Sequence, residues 1–293
     1  MTVSPSLVAG ACLSALVLAM AAWGAASDPA AATATHGSDE DAGAYVAPSA
    51  EHLLGLDRNG RDMLARLVHS TRAFAGPGLL AAVAGVLLGA AAGSLTGWSS
   101  GAPGRRLSAI AARAAGVVLS AIDAVPRLAL ILLAALAFGG RMWAVAIGVA
   151  VSFTPTVAAE ITSRVAAFRQ EEFIDAARAH GLSATRILLL HILWLNSRTL
   201  LMKWAAYLFG TMVLVETSLS YLGTIEGSMN LGVAEPLPSW GNMLARAKDT
   251  LLTQGWPALI PIAAIVVSIF GFLLLAEGLG SLDVRGLRRR VRD

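Results

Sequence analysis

Charge is scarce in this 293-residue chain. Asp, Glu, Lys and Arg together make up 14% of it, against about 25% in an ordinary soluble domain. The only lysines are Lys203, in Met-Lys-Trp, and Lys248, in Ala-Lys-Asp. Neither stands in the Gly-Lys-Ser/Thr setting that cradles nucleotide phosphates, so the chain has no Walker A loop of its own. A single cysteine, Cys12, rules out an internal disulfide and a thiolate metal cluster. His-Glu-x-x-His and Gly-x-Ser-x-Gly are both missing. His36, His52, His69, His180 and His191 are scattered, without metal-ligand spacing. A net charge of only +3 argues against a nucleic-acid surface. Nothing here makes a catalytic constellation.

Apolar residues, by contrast, reach 56%, with a mean hydropathy of +0.67. They gather in six blocks, at roughly 6–25, 75–98, 112–138, 141–160, 199–220 and 256–278, each long enough to span a bilayer. The expected class is therefore an all-α integral membrane protein. In the second block Gly85, Gly89, Gly93 and Gly97 recur every fourth residue. Such a stripe suits close helix packing, or else is filler in an alanine-rich protein. The first block ends in a run resembling a signal-peptidase site, but no basic residue precedes it, which favours a retained helix.

Arginines set the expected orientation. Arg105 and Arg106, then Arg164, Arg169, Arg178, Arg186 and Arg198, then Arg285, Arg288, Arg289, Arg290 and Arg292 form three basic clusters. Placing all three inside obeys the positive-inside rule and puts both termini in the cytoplasm, with an even number of spans. The chain then divides into a first helix (1–26), an external segment (27–73), a core of five further spans (74–285) containing a loop at 160–198, and a basic tail (286–293). Within the external segment, residues 27–50 have almost nothing to bury and read as a linker. Trp240 and Trp256 are expected as interfacial anchors.

The 160–198 loop is the most informative feature. It reads as two short helices joined at Gly181, a residue suited to the left-handed turn that ends a helix. The small pair Ala176 and Ala177 would let another protein approach. The alternative is an amphipathic helix lying on lipid headgroups.

Four stretches, in order, carry a family resemblance. They are EHLLGLDRNGRDMLARL from Glu51 to Leu67; Asp-Ala-Ala-x3-Gly-x9-His-x-Leu from Asp175 to Leu193; SLSYLG (Ser218–Gly223) with PSWGNML (Pro238–Leu244); and EGLGSLDVR from Glu277 to Arg285. Together the chain resembles the C-type permease subunit of dipeptide, oligopeptide and nickel ABC importers, whose fold is a type I permease of six transmembrane helices with a cytoplasmic coupling helix. There are departures. Asp175 stands where the family has Glu, Trp194 where it has Pro, and Ser120 where it has an Asp, with Asp123 nearby. Residues 224–230 look inserted. These bear on substrate and subfamily and leave the architecture unchanged.

The resemblance implies ATPase coupling through Phe173, Asp175, Ala176, Ala177, Arg178 and Gly181, with His191 either coupling or structural at the loop's re-entry. It implies no cofactor in this chain, ATP and Mg being bound by two partner ATPase subunits. A homologous B-type permease, an external solute-binding protein and membrane lipid complete the implied partners, in the bacterial cytoplasmic (inner) membrane. Charged groups inside spans cost roughly 2.5–3.5 kcal/mol on insertion scales and so tend to pair or to face a cavity. On that ground Asp123 and Arg127, one turn apart, are expected to pair, and these two with Glu216 and Ser220 are candidates for the translocation path. Lys203 and Glu216 are too far apart to pair along one helix. Peptide import is the leading expectation. Import of nickel or another metal chelate, and an ATP-independent channel or secondary transporter, are the alternatives.

Overall fold

A computed structural model describes residues 4–36, 43–99, 106–226, 232–233 and 237–290. The described residues are helical, with three isolated β-bridges in the segment after the first helix. The helices are α1 (Pro5–Ala26), α2 (Met63–His69), α3 (Thr71–Ser99), α4 (Arg106–Asp123), α5 (Arg127–Ala137), α6 (Met142–Phe168), α7 (Glu172–Ala179), α8 (Ala184–Arg186), α9 (Asn196–Glu226), α10 (Trp240–Ala247) and α11 (Trp256–Arg290). A nine-residue π-helix, Ile187–Leu195, joins α8 to α9. Five stretches among the described residues are long and apolar enough to cross a membrane: Pro5–Ala26, Met63–Ser99, Met142–Phe168, Ala184–Ile225 and Trp256–Leu282. A sixth exists if α4 and α5 count as one broken span. This is a multi-pass membrane protein.

The third apolar block departs from the expected single span. Its two helices meet at 87°. Pro126 has no N–H to continue the α4 ladder and disfavours helical backbone at Val125, so the helix stops at Asp123 and restarts at Arg127. The Asp123 and Arg127 side chains therefore do not share a helical turn.

Packing between α3 and α6 resolves the two readings of the glycine stripe. A Cβ at Gly93 would lie 2.5 Å from the Ala158 carbonyl oxygen, and one at Gly97 would lie 2.8 Å from that of Thr162. Backbones approach this closely only where no side chain intervenes. Thr96 and Thr162 add a hydroxyl contact of 2.6 Å across the same seam. Gly93→Leu is expected to lower stability by about 1–3 kcal/mol through overpacking. A fall in the thermal midpoint in detergent, with the exposed Val83→Leu change as the neutral control, checks it. At the other side of the bundle α1 lies along α11, with Gly10, Gly271 and Gly278 at its closest approaches.

The described residues 27–36 and 43–50 are more structured than their composition implies. Pro29–Ala32 forms a 3₁₀ turn whose Ala32 is fully buried. Thr35 bridges Arg61, and Val46 bridges Leu56. Backbone pairing, with little side-chain burial beyond Ala32, holds these residues, so apolar content is a poor guide to them.

The Glu51–Leu67 signature is the framework of the segment between α1 and α3. The Asp57 carboxylate accepts backbone N–H bonds from Asn59 (2.9 Å) and Arg61 (3.0 Å), and the Arg61 Nε bond (2.8 Å). It also lies 3.5 Å from Nε of Arg66, which is only 2% exposed. Asp62 caps α2 through the Ala65 N–H (2.9 Å) and lies 2.8 Å from Nδ1 of His52.

Trp240, expected at the membrane interface, is instead buried. Its Nε1–H donates to the Leu67 carbonyl (2.9 Å), and its ring sits 4.8 Å from that of Phe74. A capping box at Ser239 and Asn242 starts α10 and aims this ring inward. Trp256 is half-buried, edge-on to Tyr45.

Candidate functional site: the α7 hairpin and the polar groups of α9

Between α6 and α9 the chain leaves the bundle as a short helical hairpin. α7 buries Ile174 against the core, and Ala177 is half-buried beside it. This three-residue spacing makes one inward stripe on the helix. Phe173, Asp175, Ala176 and Arg178 lie on the exposed side. Of the two alanines expected to admit a partner, only Ala176 is thus free to do so. Asp175 pairs with Arg178 (2.9 Å) on the exposed surface, and the Arg178 guanidinium stands 5.7 Å from the Trp98 ring centroid at the end of α3.

Gly181 closes α7 at φ +78°. Its N–H bonds the Arg178 carbonyl (2.9 Å), and the N–H of Leu182 bonds that of Ala177 (3.1 Å). This pair is a Schellman motif, with Leu182 and Ala177 both packed on the core. Ser183 then caps α8 through the Arg186 N–H (3.3 Å). The hairpin expected from sequence is present, with its turn at the expected glycine.

His191 falls within the π-helix rather than in an ordinary loop end. Its carbonyl accepts from the Asn196 side chain, and the Ile192 carbonyl accepts from Ser197 Oγ (2.9 Å), both five residues on. Two side chains therefore clip the carbonyls where the wide turn gives way to α9. This irregular stretch includes Trp194, the position where the family resemblance has proline.

No family model matches the chain. It is 31% identical over 232 residues to a dipeptide transport system permease protein of Alkalihalophilus pseudofirmus, covering 79% of this chain and 71% of that one. It is 32% identical over 235 residues to a protein of Brucella ovis named as a peptide permease, covering 80% and 72%. A Brucella suis protein named as a peptide transport system permease is 30% identical over 235 residues, covering 80% and 74%. The chain belongs to the peptide ABC-importer permease family.

Within this permease the candidate path residues fall into two separate places. Glu216 and Ser220 lie in α9 beneath α10, both fully buried. Ser220 Oγ donates to Glu216 Oε1 (2.8 Å) and accepts the Val233 N–H (2.8 Å). Thr217 Oγ1 is 3.5 Å from Oε2. In this chain the pair sits in a buried polar knot that ties Val233, and through it Asn242 of α10, onto α9. Glu216→Leu removes the common acceptor of these hydroxyls, and each buried polar group left unpaired costs about 1–3 kcal/mol. The expected outcome is release of α10, seen as faster proteolysis at Arg246 and Lys248 with the transmembrane core intact.

Arg127 and Asp123 lie elsewhere. The Arg127 guanidinium donates to Thr156 Oγ1 (2.7 Å) and stacks 4.5 Å from the Phe153 ring centroid, on α6. Asp123 is exposed, and the expected Asp123–Arg127 pair is replaced by these α6 contacts. Sequence reading missed one charged group in the permease altogether. Lys203 Nζ contacts both oxygens of Glu160 (2.7 and 2.8 Å), and Trp204 Nε1–H donates to Oε2 (2.5 Å). Glu160 is 43 residues away on α6, so no local spacing signals the pair.

Proposed function

We propose that this permease is the C-type subunit of a peptide importer of the cytoplasmic membrane, coupled through the α7 hairpin to ATPases that bind ATP and Mg. Its expected partners are a homologous B-type permease, two ATPase subunits and an external solute-binding protein. Peptides as cargo rest on the relatives, whose names specify peptide or dipeptide transport. The observation that carries the coupling role is the hairpin itself: a capped two-turn helix stands outside the bundle, anchored inward by Ile174, with Ala176 and Asp175 facing away. Rigid-body closure of domains is a recurring switching motion, and a helix docked on a closing partner would be carried with it. In the same reading α7 and both chain termini face the cytoplasm, consistent with the arginine clusters there.

Mild-detergent affinity purification from the native membrane, with mass spectrometry of co-eluting proteins, tests the assembly. Recovery of an ATPase and a second permease in stoichiometric amount is the expected result. Recovery of this chain alone, from membranes in which other ABC complexes survive, would refute it in favour of an ATP-independent carrier. Uptake of labelled dipeptide against nickel by the recovered complex then decides the cargo.

A further inference from the structure

Two kinds of exposed helix face occur in the bundle. On α11 the exposed positions from Leu259 through Val266 and Phe270 to Leu273 are apolar, as a lipid-facing surface requires, and the exposed Glu277 follows only in the last turns of the span. The face shared by α6 and α9 is different. Along α9, Lys203, Tyr207, Thr211 and Ser218 are all half-buried or exposed. At about 100° per residue they fall within an arc of about 80° on one side of the helix, with the exposed Leu214 as an apolar member of the same arc. Along α6, Thr156, Glu160 and Ser163 share a similarly narrow arc and the same exposure.

The two stripes are joined into one surface. Arg127 stacks on Phe153; Phe153 meets Tyr207 edge-on at 5.7 Å; Tyr207 meets Trp204 at 5.6 Å; and Trp204 donates to Glu160, which holds Lys203. The Glu160 and Lys203 side chains are 41% and 24% exposed, although both lie within candidate spans. Glu160 stands eight residues, about 12 Å, inside the Phe168 end of α6. A part-exposed ion pair at that depth is unfavourable against lipid tails, and hydroxyls or charges in spans face a water-filled cavity or another protein.

The geometry points to the α6/α9 face as the wall of the translocation path, with Glu160, Lys203, Arg127 and Thr211 as the groups that a passing peptide meets. This deepens the importer reading and rests on it. The chemistry suits a zwitterion whose backbone both donates and accepts hydrogen bonds. The carboxylate and the two cations are already paired or stacked within the wall, so they offer polar contact without a deep electrostatic trap. A path must release its cargo, and such a surface does.

Cysteine accessibility tests this in the complete transporter, reconstituted in lipid nanodiscs and in vesicles. The single native cysteine is removed by Cys12→Ser, and Thr211→Cys, Ser218→Cys and the lipid-face control Phe270→Cys are each introduced. A permanently charged methanethiosulfonate reagent is expected to label positions 211 and 218 on the order of 100-fold faster than position 270, since charge is excluded from the lipid slab. Dipeptide uptake by the Thr211→Cys complex should fall with the same time course as its labelling. Equal, slow labelling at all three positions, while the Cys12→Ser parent still transports, would overturn the assignment and leave the importer reading standing. Fast labelling without loss of uptake would overturn it as well, marking the face as wet but off the path. A parent complex without ATP-driven peptide uptake would remove the importer reading itself and this inference with it.

Discussion

Asp57→Ala is expected to destabilise the segment between α1 and α3 by about 1–3 kcal/mol, the cost of leaving buried donors without their acceptor. Arg66 is the reason. Its guanidinium is almost wholly enclosed, beside Asp57 and within reach of the Ala32 carbonyl (3.4 Å). Losing the carboxylate takes an anion away from beside that enclosed guanidinium. The same change removes the acceptor for the Asn59 and Arg61 N–H groups, so the turn at Gly60 loses its frame. Asp57→Asn keeps the turn acceptor and loses only charge, so its effect should be smaller. Limited proteolysis between residues 43 and 62, together with the thermal midpoint of the purified complex, reads both variants. Equal protection of Asp57→Ala and wild type would show that the cluster contributes nothing.

Gly181→Pro is expected to abolish ATP-driven uptake while the transmembrane bundle stays folded. Proline removes the N–H that bonds Arg178 and holds φ near −65°, whereas the turn requires +78°. Any L-residue is disfavoured there by roughly 1–2 kcal/mol, and proline also breaks the cap. The damage is local, because no atom lies within 4 Å of where a Cβ would project. A companion variant separates coupling from folding. Ala176→Trp places bulk on the exposed side of α7, where the chain's own structure accommodates it. If α7 docks on an ATPase, this variant should lose uptake and keep a normal thermal midpoint. The ratio of peptide transported to ATP hydrolysed is the quantity to follow. An unchanged ratio in both variants would remove α7 from the coupling role.

The segments most legible in the sequence were those with local signals. The hairpin was readable because a helix stop needs a glycine and Gly181 stood between two polar helical runs. The spans were readable from the length of their apolar runs. Trp240 shows the limit: composition placed it at an interface, whereas its ring fills the space between α3 and α10. Glu160 shows another. Its partner Lys203 lies on a different helix, and pairs of that kind follow from the bundle's packing rather than from spacing. Asp123 and Arg127 fit a helical turn by count alone. Pro126, three residues after Asp123, was the signal that the helix ends there. The polar knot at Glu216 was half legible, since a carboxylate inside an apolar run marks an unusual environment but does not say which hydroxyls surround it.

The glycine ladder between α3 and α6 has a mechanical consequence. Ball-and-socket contacts between long side chains let two helices slide by exchanging rotamers, but here the α3 side of the seam is bare glycine backbone, set against α6 carbonyls and the stiff β-branched Val157, Ile161 and Val165. The two helices are in effect one beam. α7 is attached to one end of it, three residues beyond Phe168, so a pull on the hairpin acts on a lever two helices thick. The compliant joint lies elsewhere, at the Pro126 corner, where the chain has already given up its ladder of hydrogen bonds.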